Sequence, residues 1–244
     1  MKKLVITQSN YIPWKGYFDA INFADELILY DDMQYTRRDW RNRNKIVTPN
    51  GLLWLTIPVV NKGKYFQKIN ETLIDGDGWA QEHWKTIVYN YSKARYFKDY
   101  APVFEELYLR RERYLSLVNR AFIEAINGIL GITTPIFWSS EFKLAEGKTE
   151  RLVDLCLQRG AKDYYSGPAA KEYIVPELFA EAGVNLHYFD YSGYPEYKQL
   201  YGTFEHGVSI LDLIFNTGPD AKKYMKTFGT LNQNLSIIHG IVEN

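Results

Sequence analysis

The chain has 244 residues, of which 46% are hydrophobic and 16% aromatic, and its 29 Lys and Arg residues balance 29 Asp and Glu residues. Cys156 is the one cysteine, which excludes an internal disulfide framework or a cysteine-rich zinc site and favours a reducing cytoplasm. The zero net charge argues against general nucleic-acid binding, and no apolar run is long enough to span a membrane.

Short β-prone runs alternate with polar loops in the first 75 residues. Residues 3–7 and 26–30 predict buried parallel strands, and residues 16–24 between them have apolar side chains at helical spacing. Strand, loop, helix and strand in this order are typical of a βαβ unit. The Asn50-Gly51 turn predicts a hairpin over residues 46–57, and residues 68–74 predict a third antiparallel strand.

Helical periodicity then dominates residues 79–93, 102–109 and 114–130. Strands at 135–138, 163–165 and 184–189 alternate with helices at 149–159 and 175–182, and further helices are predicted at 209–215 and 219–228. We therefore predict one α/β domain over residues 1–230, with a polar tail over 231–244. Its sheet is expected to be mainly parallel and Rossmann-like, with an antiparallel hairpin and an inserted helical segment at about 78–130.

Residues 31–45 combine many cations with acidic, amide and aromatic side chains. They follow a predicted buried strand, at the edge where open α/β sheets bind ligands. Arginine binds phosphate through a fixed fork of donors, and the side chains of Gln34, Tyr35 and Asn44 can hydrogen-bond to a sugar or base. The segment therefore predicts a phosphate site, the alternative being a solvated loop whose charges pair internally. The predicted phosphate ligands are Arg37, Arg38, Arg43 and Lys45.

The loop after the first strand carries a second group of polar and aromatic side chains, namely Gln8, Asn10, Tyr11 and Trp14. If the first two strands are neighbours, this loop faces residues 31–45 across one crevice. Tyr17, in the first turn of the next predicted helix, is assigned to the same binding group. The alternative is that the amides of Gln8 and Asn10 only bond to their own loop.

His83 and Asp32 are the predicted bases. A neutral imidazole near pH 7 suits proton abstraction from an amine, although His83 is equally compatible with a packed or surface position on its helix. Glu141 and Ser166 each follow a predicted strand and are expected to line the same crevice. The histidines lack metal-ligand spacing, and Cys156 lies in an apolar helix where packing is the expected role.

Two stretches of the chain resemble the WbqC-like protein family. They are residues 8–18, which read QSNYIPWKGYF, and residues 31–46, and the similarity continues through residues 51–59, His83, 139–141, 165–167 and 209–216. Ser9 stands where the family usually has proline, a change expected to loosen the turn after the first strand. The resemblance implies a glycine or aminoacyl transferase acting on sugars in bacterial O-antigen or related surface-glycan synthesis.

The opening of the chain is also similar to that of nucleotidylyltransferases, whose His-x-Gly-His motif stabilises nucleotide phosphates. Trp14 and Tyr17 occupy the two histidine positions here. This similarity therefore guides the expected topology and argues against nucleotidyl transfer.

The hypothesis from the sequence is a cytoplasmic enzyme that places a glycyl or other acyl group on the amino group of a nucleotide-activated deoxysugar. The resemblance supplies the reaction type, and no bound cofactor is expected. Candidate acyl donors are a carrier-protein thioester, coenzyme A or an aminoacyl adenylate, and candidate partners are an acyl carrier protein and a second copy of the chain. The alternative is a noncatalytic protein that binds a sugar nucleotide or glycan precursor.

Overall fold

The computed structural model describes residues 1–228 and 237–239. The strands are β1 (Lys3–Thr7), β2 (Glu26–Leu29), β3 (Arg43–Thr48), β4 (Gly51–Thr56), β5 (Ile136–Trp138), β6 (Asp163–Ser166), β7 (Asn185–Phe189) and β8 (Ile237–His239). The α-helices are α1 (Lys15–Phe23), α2 (Gly78–Tyr91), α3 (Phe97–Leu109), α4 (Leu115–Leu130), α5 (Thr149–Gln158), α6 (Pro176–Glu181) and α7 (Ile210–Thr217). No helix among them is both long and apolar enough to cross a membrane.

The main sheet has the strand order β5-β2-β1-β6-β7-β8, and its first five strands are parallel. β8 pairs antiparallel with β7, and β3 and β4 form the separate hairpin. From β1 the chain builds outward to β2 and β5, then returns to add β6 and β7 on the other side of β1. The direction of winding therefore reverses between β1 and β6, which is where open α/β sheets place their ligands.

The two faces of this sheet are covered by different helices. Val5 belongs to a large core with α1, α2, α3, α4 and α7, while its neighbours Leu4 and Ile6 belong to a second core with α5 and α6. Alternate residues of a strand point to opposite faces, so a strand buried on both sides is apolar at every position. The α/β prediction, with its parallel sheet, hairpin and helical segment, is confirmed.

Two local predictions are wrong. Residues 68–74 do not form a third strand, because they turn through a 3₁₀ helix at Ile69–Glu71. The Lys68 N–H donates to the Glu71 carboxylate and the Thr72 hydroxyl donates to the Lys68 carbonyl, so local bonds replace a ladder. The helix predicted at 219–228 is a 3₁₀ helix over Gly218–Tyr224. Of the predicted tail, residues 231–236 and 240–244 lie outside the described residues.

Candidate functional site

A cleft of about 510 Å³ opens at the carboxyl ends of β1 and β6, where the winding reverses. Its walls come from the loops after these strands, from the segment before β3 and from the loop before α7. The cleft is lined by residues that include Asn10, Trp14, Tyr17, Trp40, Arg41, Asn44, Gly167, Tyr191, His206 and Gly207. The sequence predicted that the loop after β1 faces residues 31–45 if the first two strands are neighbours. β1 and β2 are direct neighbours, and residues of both segments line the cleft.

The indole of Trp14 forms one aromatic wall of the cleft. It meets the ring of Tyr191 edge to face, with centroids 5.1 Å apart, and lies directly against Gly16 in the first turn of α1. A Cβ on Gly16 would approach Trp14 Cζ2 to 2.3 Å. The indole can therefore hold this position only because residue 16 is glycine.

The loop after β1 is tied to the segment before β3 by a set of hydrogen bonds. The Tyr11 N–H donates to the Trp40 carbonyl, and Asn44 Nδ2 donates to the carbonyls of Tyr11 and Ile12. These bonds hold Ile12 at a φ of 38°, an uncommon conformation for a β-branched residue. Arg41 donates to the Asn10 side chain across the same junction, so both polar groups are presented on one wall.

Ser9 does not loosen this loop. Its N–H donates to Asp31 Oδ1 at 2.8 Å and its hydroxyl donates to Asp31 Oδ2 at 2.6 Å, while Asn119 Nδ2 donates to the Ser9 hydroxyl. All three residues are buried. Hydrogen bonds to a buried carboxylate are stronger than neutral ones, so serine replaces the rigidity of a proline by anchoring the turn to the end of β2.

His206 is the histidine that lines the cleft, and the sequence reasoning did not select it. Its Nδ1 has no hydrogen-bond partner among the described residues. Burial, and then the positive charge of Lys15, lower the pKa of His206 below its ordinary value of 6.5, against the opposing effect of Glu196 and Glu205. These surroundings favour the neutral form of the ring, and its Nδ1 is buried.

The position of His206 follows from the way its loop is attached. The Ser209 N–H donates to the Lys45 carbonyl on β3, and the Ile210 N–H donates to the Pro13 carbonyl after β1. Closer to β7, the same loop is held by buried Lys15 at the start of α1. The Lys15 ammonium donates to the Pro195 carbonyl and lies over the ring of Tyr194. No pattern in the sequence predicts that the loop carrying His206 packs against Pro13, because these two segments are far apart in the chain.

A second cavity of about 510 Å³, which we call the arginine hollow, is lined by other residues of the segment before β3. Its walls include Tyr35, Arg37, Arg38, Asn42, Arg43, Thr56 and Asn61. The predicted phosphate ligands are thus divided between two places. Arg37, Arg38 and Arg43 line the hollow, while the Lys45 ammonium is 6.0 Å from the ring centroid of Trp40, a residue that lines the cleft.

Predicted base His83 lies in the core, away from both cavities. It is 7% exposed, its Nδ1 is 2.9 Å from the Tyr11 hydroxyl, and that hydroxyl also meets the Tyr108 hydroxyl at 2.6 Å. Burial lowers the pKa of His83 to about 4, although a hydrogen bond to the Thr56 backbone opposes this. Tyr11 is fully buried in the same group and lines neither cavity.

The other predicted base, Asp32, lies in a third pocket of about 200 Å³ at the ends of β2 and β5. Its carboxylate accepts from the Ser139 hydroxyl at 2.5 Å and from Asn70 Nδ2 at 3.2 Å. Within the described residues, no three His, Cys, Asp or Glu side chains come together as a metal site.

The remaining predicted residues form hydrogen bonds within the protein. Glu141 accepts from the Trp138 N–H, Gln34 donates to the Tyr65 carbonyl, the Gln8 carbonyl accepts from the Tyr17 hydroxyl, and Ser166 accepts from the Tyr164 hydroxyl. Buried Cys156 packs in the second core, where burial raises the pKa of its thiol to about 12.

Comparison with known proteins agrees with the motifs that frame the cleft. The model of the WbqC-like protein family matches residues 8–224. The chain belongs to this family. An uncharacterised protein of Mycobacterium tuberculosis is 53% identical over 227 residues, which cover 93% of this chain and 98% of the relative. No solved structure matches this family member.

Proposed function

We propose that this protein is a cytoplasmic transferase that places a glycyl or other acyl group on the amino group of a nucleotide-activated sugar in bacterial surface-glycan synthesis. The observation that carries the proposal is the cleft between β1 and β6, which combines aromatic faces, an arginine, amides and a neutral histidine at the topological switch point. The reaction type is supported by the resemblance to the family.

The lining of the cleft suits a sugar nucleotide as the acceptor substrate. The rings of Trp14, Tyr17 and Trp40 offer flat surfaces on which a sugar or base can stack. Arg41 has a buried Nε without a partner among the described residues, and its guanidinium is 3.6 Å from Asp39. Together with Lys45, whose ammonium is close to the ring of Trp40, Arg41 supplies positive charge for a diphosphate.

Acyl transfer to an amine requires a base. The amine nitrogen attacks the acyl carbonyl, a carbon–nitrogen bond forms, the bond to the thiolate or phosphate leaving group breaks, and the nitrogen loses a proton. In our proposal the imidazole of His206 accepts this proton, because it lines the cleft and burial favours its neutral form. His83 is enclosed by aromatic rings and Asp32 faces a different pocket, so neither is assigned this role.

The proposal is tested by titrating the intact protein calorimetrically with nucleotide diphosphate-linked aminosugars. We expect saturable binding, weakened about tenfold or more in Arg41→Gln because a charge-assisted contact to phosphate is lost. Arg95→Gln is the control for loss of one positive charge, since exposed Arg95 lies beside the ring of Tyr96, 5.0 Å from its centroid, and does not line the cleft.

Catalysis is tested by supplying glycyl thioesters of a carrier protein, glycyl-coenzyme A and glycyl adenylate, and measuring the mass of the sugar product. His206→Asn is expected to bind the acceptor within about twofold of the wild type and to lose turnover by about 10²-fold or more. Absence of binding by every aminosugar nucleotide contradicts the proposal. Binding without acyl transfer from any of the three donors supports the noncatalytic alternative instead.

A further inference from the structure

The arginine hollow is built from the segment that also forms one wall of the cleft, but it is lined by different residues of that segment. Arg41 and Asn44 line the cleft, whereas Asn42 and Arg43 between them line the hollow. The two sets of lining residues have no member in common. A ligand in the hollow therefore binds to different side chains from a ligand in the cleft.

The cations of the hollow form no close ion pair. Among the described residues, Arg37, Arg38 and Arg43 have no carboxylate within 4.0 Å, whereas neighbouring Arg41 pairs with Asp39 at 3.6 Å. The charge of Arg43 acts on Asp39 only as a weaker contribution to the lowered pKa of that carboxyl. Three guanidinium groups around one cavity repel each other unless an anion lies between them. Phosphate is the anion whose geometry best matches the guanidinium fork.

The orientation of Arg43 is set before any ligand arrives. Its guanidinium donates to the Arg38 carbonyl and lies 4.1 Å from the centre of the Trp54 ring. Arg38 has a φ of 59°, an uncommon conformation for a residue other than glycine. The strained backbone of Arg38 and the ring of Trp54 thus hold Arg43 in a fixed position, which reduces the entropy lost on binding.

A buried amide adds a further polar group to the wall. Asn42 is 5% exposed and its Nδ2 donates to the Ile57 carbonyl, but its Oδ1 has no partner among the described residues. A buried acceptor without a partner is unfavourable, and a ligand hydroxyl or N–H can satisfy it. The hollow therefore suits a molecule that carries both phosphate and hydrogen-bond donors.

We propose that the arginine hollow is a second substrate site, which binds the phosphate group of the acyl donor. This inference rests on the proposed function. A phosphopantetheinyl thioester, coenzyme A and an aminoacyl adenylate all contain phosphate, so the shared chemistry is that of a phosphorylated acyl carrier. The exposed ring of Trp54 contacts Arg43 of the hollow, and its centroid is 5.3 Å from that of exposed Trp40, which lines the cleft. In the proposal these two rings provide the surface along which the acyl arm reaches the acceptor.

The test is calorimetric titration of the intact protein with four probes: inorganic pyrophosphate, coenzyme A, 4′-phosphopantetheine and adenosine monophosphate. At least one organic probe should bind, and the tightest identifies the source of the phosphate. We expect Arg37→Gln and Arg43→Gln each to weaken it about tenfold or more, and Arg95→Gln and His206→Asn to leave it within about twofold. Arg38→Gly should weaken binding while keeping the melting temperature, because glycine accepts a positive φ.

Three results would overturn the proposal: no binding of any probe, binding that both Arg37→Gln and Arg43→Gln leave unchanged, or competition between the probe and an aminosugar nucleotide with loss of both in Arg41→Gln. The last result places both phosphates in the cleft. Failure of the proposed function is distinguishable, since it appears as absent aminosugar binding or absent acyl transfer while the probe still binds through Arg37 and Arg43.

Discussion

At the scale of single residues, burial decides which titratable groups can take part in chemistry. His83 and His206 are both histidines whose pKa is lowered by burial, yet only His206 lines a cavity. The His83 ring is within 6.5 Å, between centroids, of the rings of Tyr11, Trp79 and Tyr108. A histidine enclosed in this way favours its neutral form, and it does not line the cleft.

This position of His83 predicts a pH dependence of stability. The unfolded chain protonates His83 near pH 6.5 and the folded chain only near pH 4, so between these values the unfolded state binds more protons. The free energy of unfolding should therefore fall by up to about 3 kcal/mol as the pH is lowered from 6.5 to 4.

Urea unfolding at several pH values measures this slope. In His83→Gln the slope should be reduced by most of that amount, whereas His206→Gln should change it less, because His206 is only partly buried. Equal slopes in the wild type and His83→Gln would contradict the burial argument.

At the scale of elements, the first turn of α1 links helix formation to the shape of the cleft. Glycine is a poor helix former, costing about 1 kcal/mol relative to alanine, so Gly16 is unfavourable for the helix itself. It is required because the Trp14 indole occupies the space of a Cβ. The site therefore depends on a residue that local helix propensity would not choose.

Gly16→Ala should separate stability from binding. The gain in helix propensity offsets part of the steric cost, so the free energy of unfolding should change by less than about 2 kcal/mol, while displacement of Trp14 lowers aminosugar-nucleotide affinity about tenfold or more. Gly128→Ala in α4 is the matched control, since a Cβ there meets nothing within 4 Å. It should stabilise the protein by about 0.5–1 kcal/mol without altering binding. Unchanged binding in Gly16→Ala would show that Trp14 can move without loss.

At the scale of the whole molecule, one buried carboxylate joins four parts of the chain. Asp212 on α7 accepts from the hydroxyls of Tyr91 and Tyr197 and from Gln199 Nε2, and the Tyr91 hydroxyl in turn accepts from the Val47 N–H. These bonds connect α2, the hairpin, the loop before α7 and α7 itself. The loop that carries His206 is thus attached to α7, and through Asp212 to α2.

Asp212→Ala should destabilise the protein by about 3–5 kcal/mol, because several buried donors lose a charged acceptor at once. Asp220→Ala is the control, since Asp220 is exposed and its ion pair with Lys223 is screened by solvent, so its loss should have little effect. Chemical unfolding should show a shifted midpoint with an unchanged slope for Asp212→Ala. Similar midpoints for the two variants would contradict this role for Asp212.

The sequence by itself determined the parallel strands, the hairpin, the helical segment and the meeting of the loops after β1 and β2. These follow from local periodicity and from strands adjacent in the chain, as with Lys3–Thr7 and Glu26–Leu29. The strand predicted over residues 68–74 failed because the side chains of Glu71 and Thr72 bond to the nearby Lys68 backbone, a competition that the pattern of apolar residues does not register.

Only the tertiary structure decided which polar residues share a cavity. The return of the chain to the other side of β1 brings Gly167 and His206 to the cleft, and the path of residues 41–44 divides the arginines between cleft and hollow. Burial of His83 likewise depends on Tyr11 of the loop after β1 and on the packing of α3 against α2. These arrangements arise from contacts between segments far apart in sequence, whose free energy depends on packing that no local pattern of residue types contains.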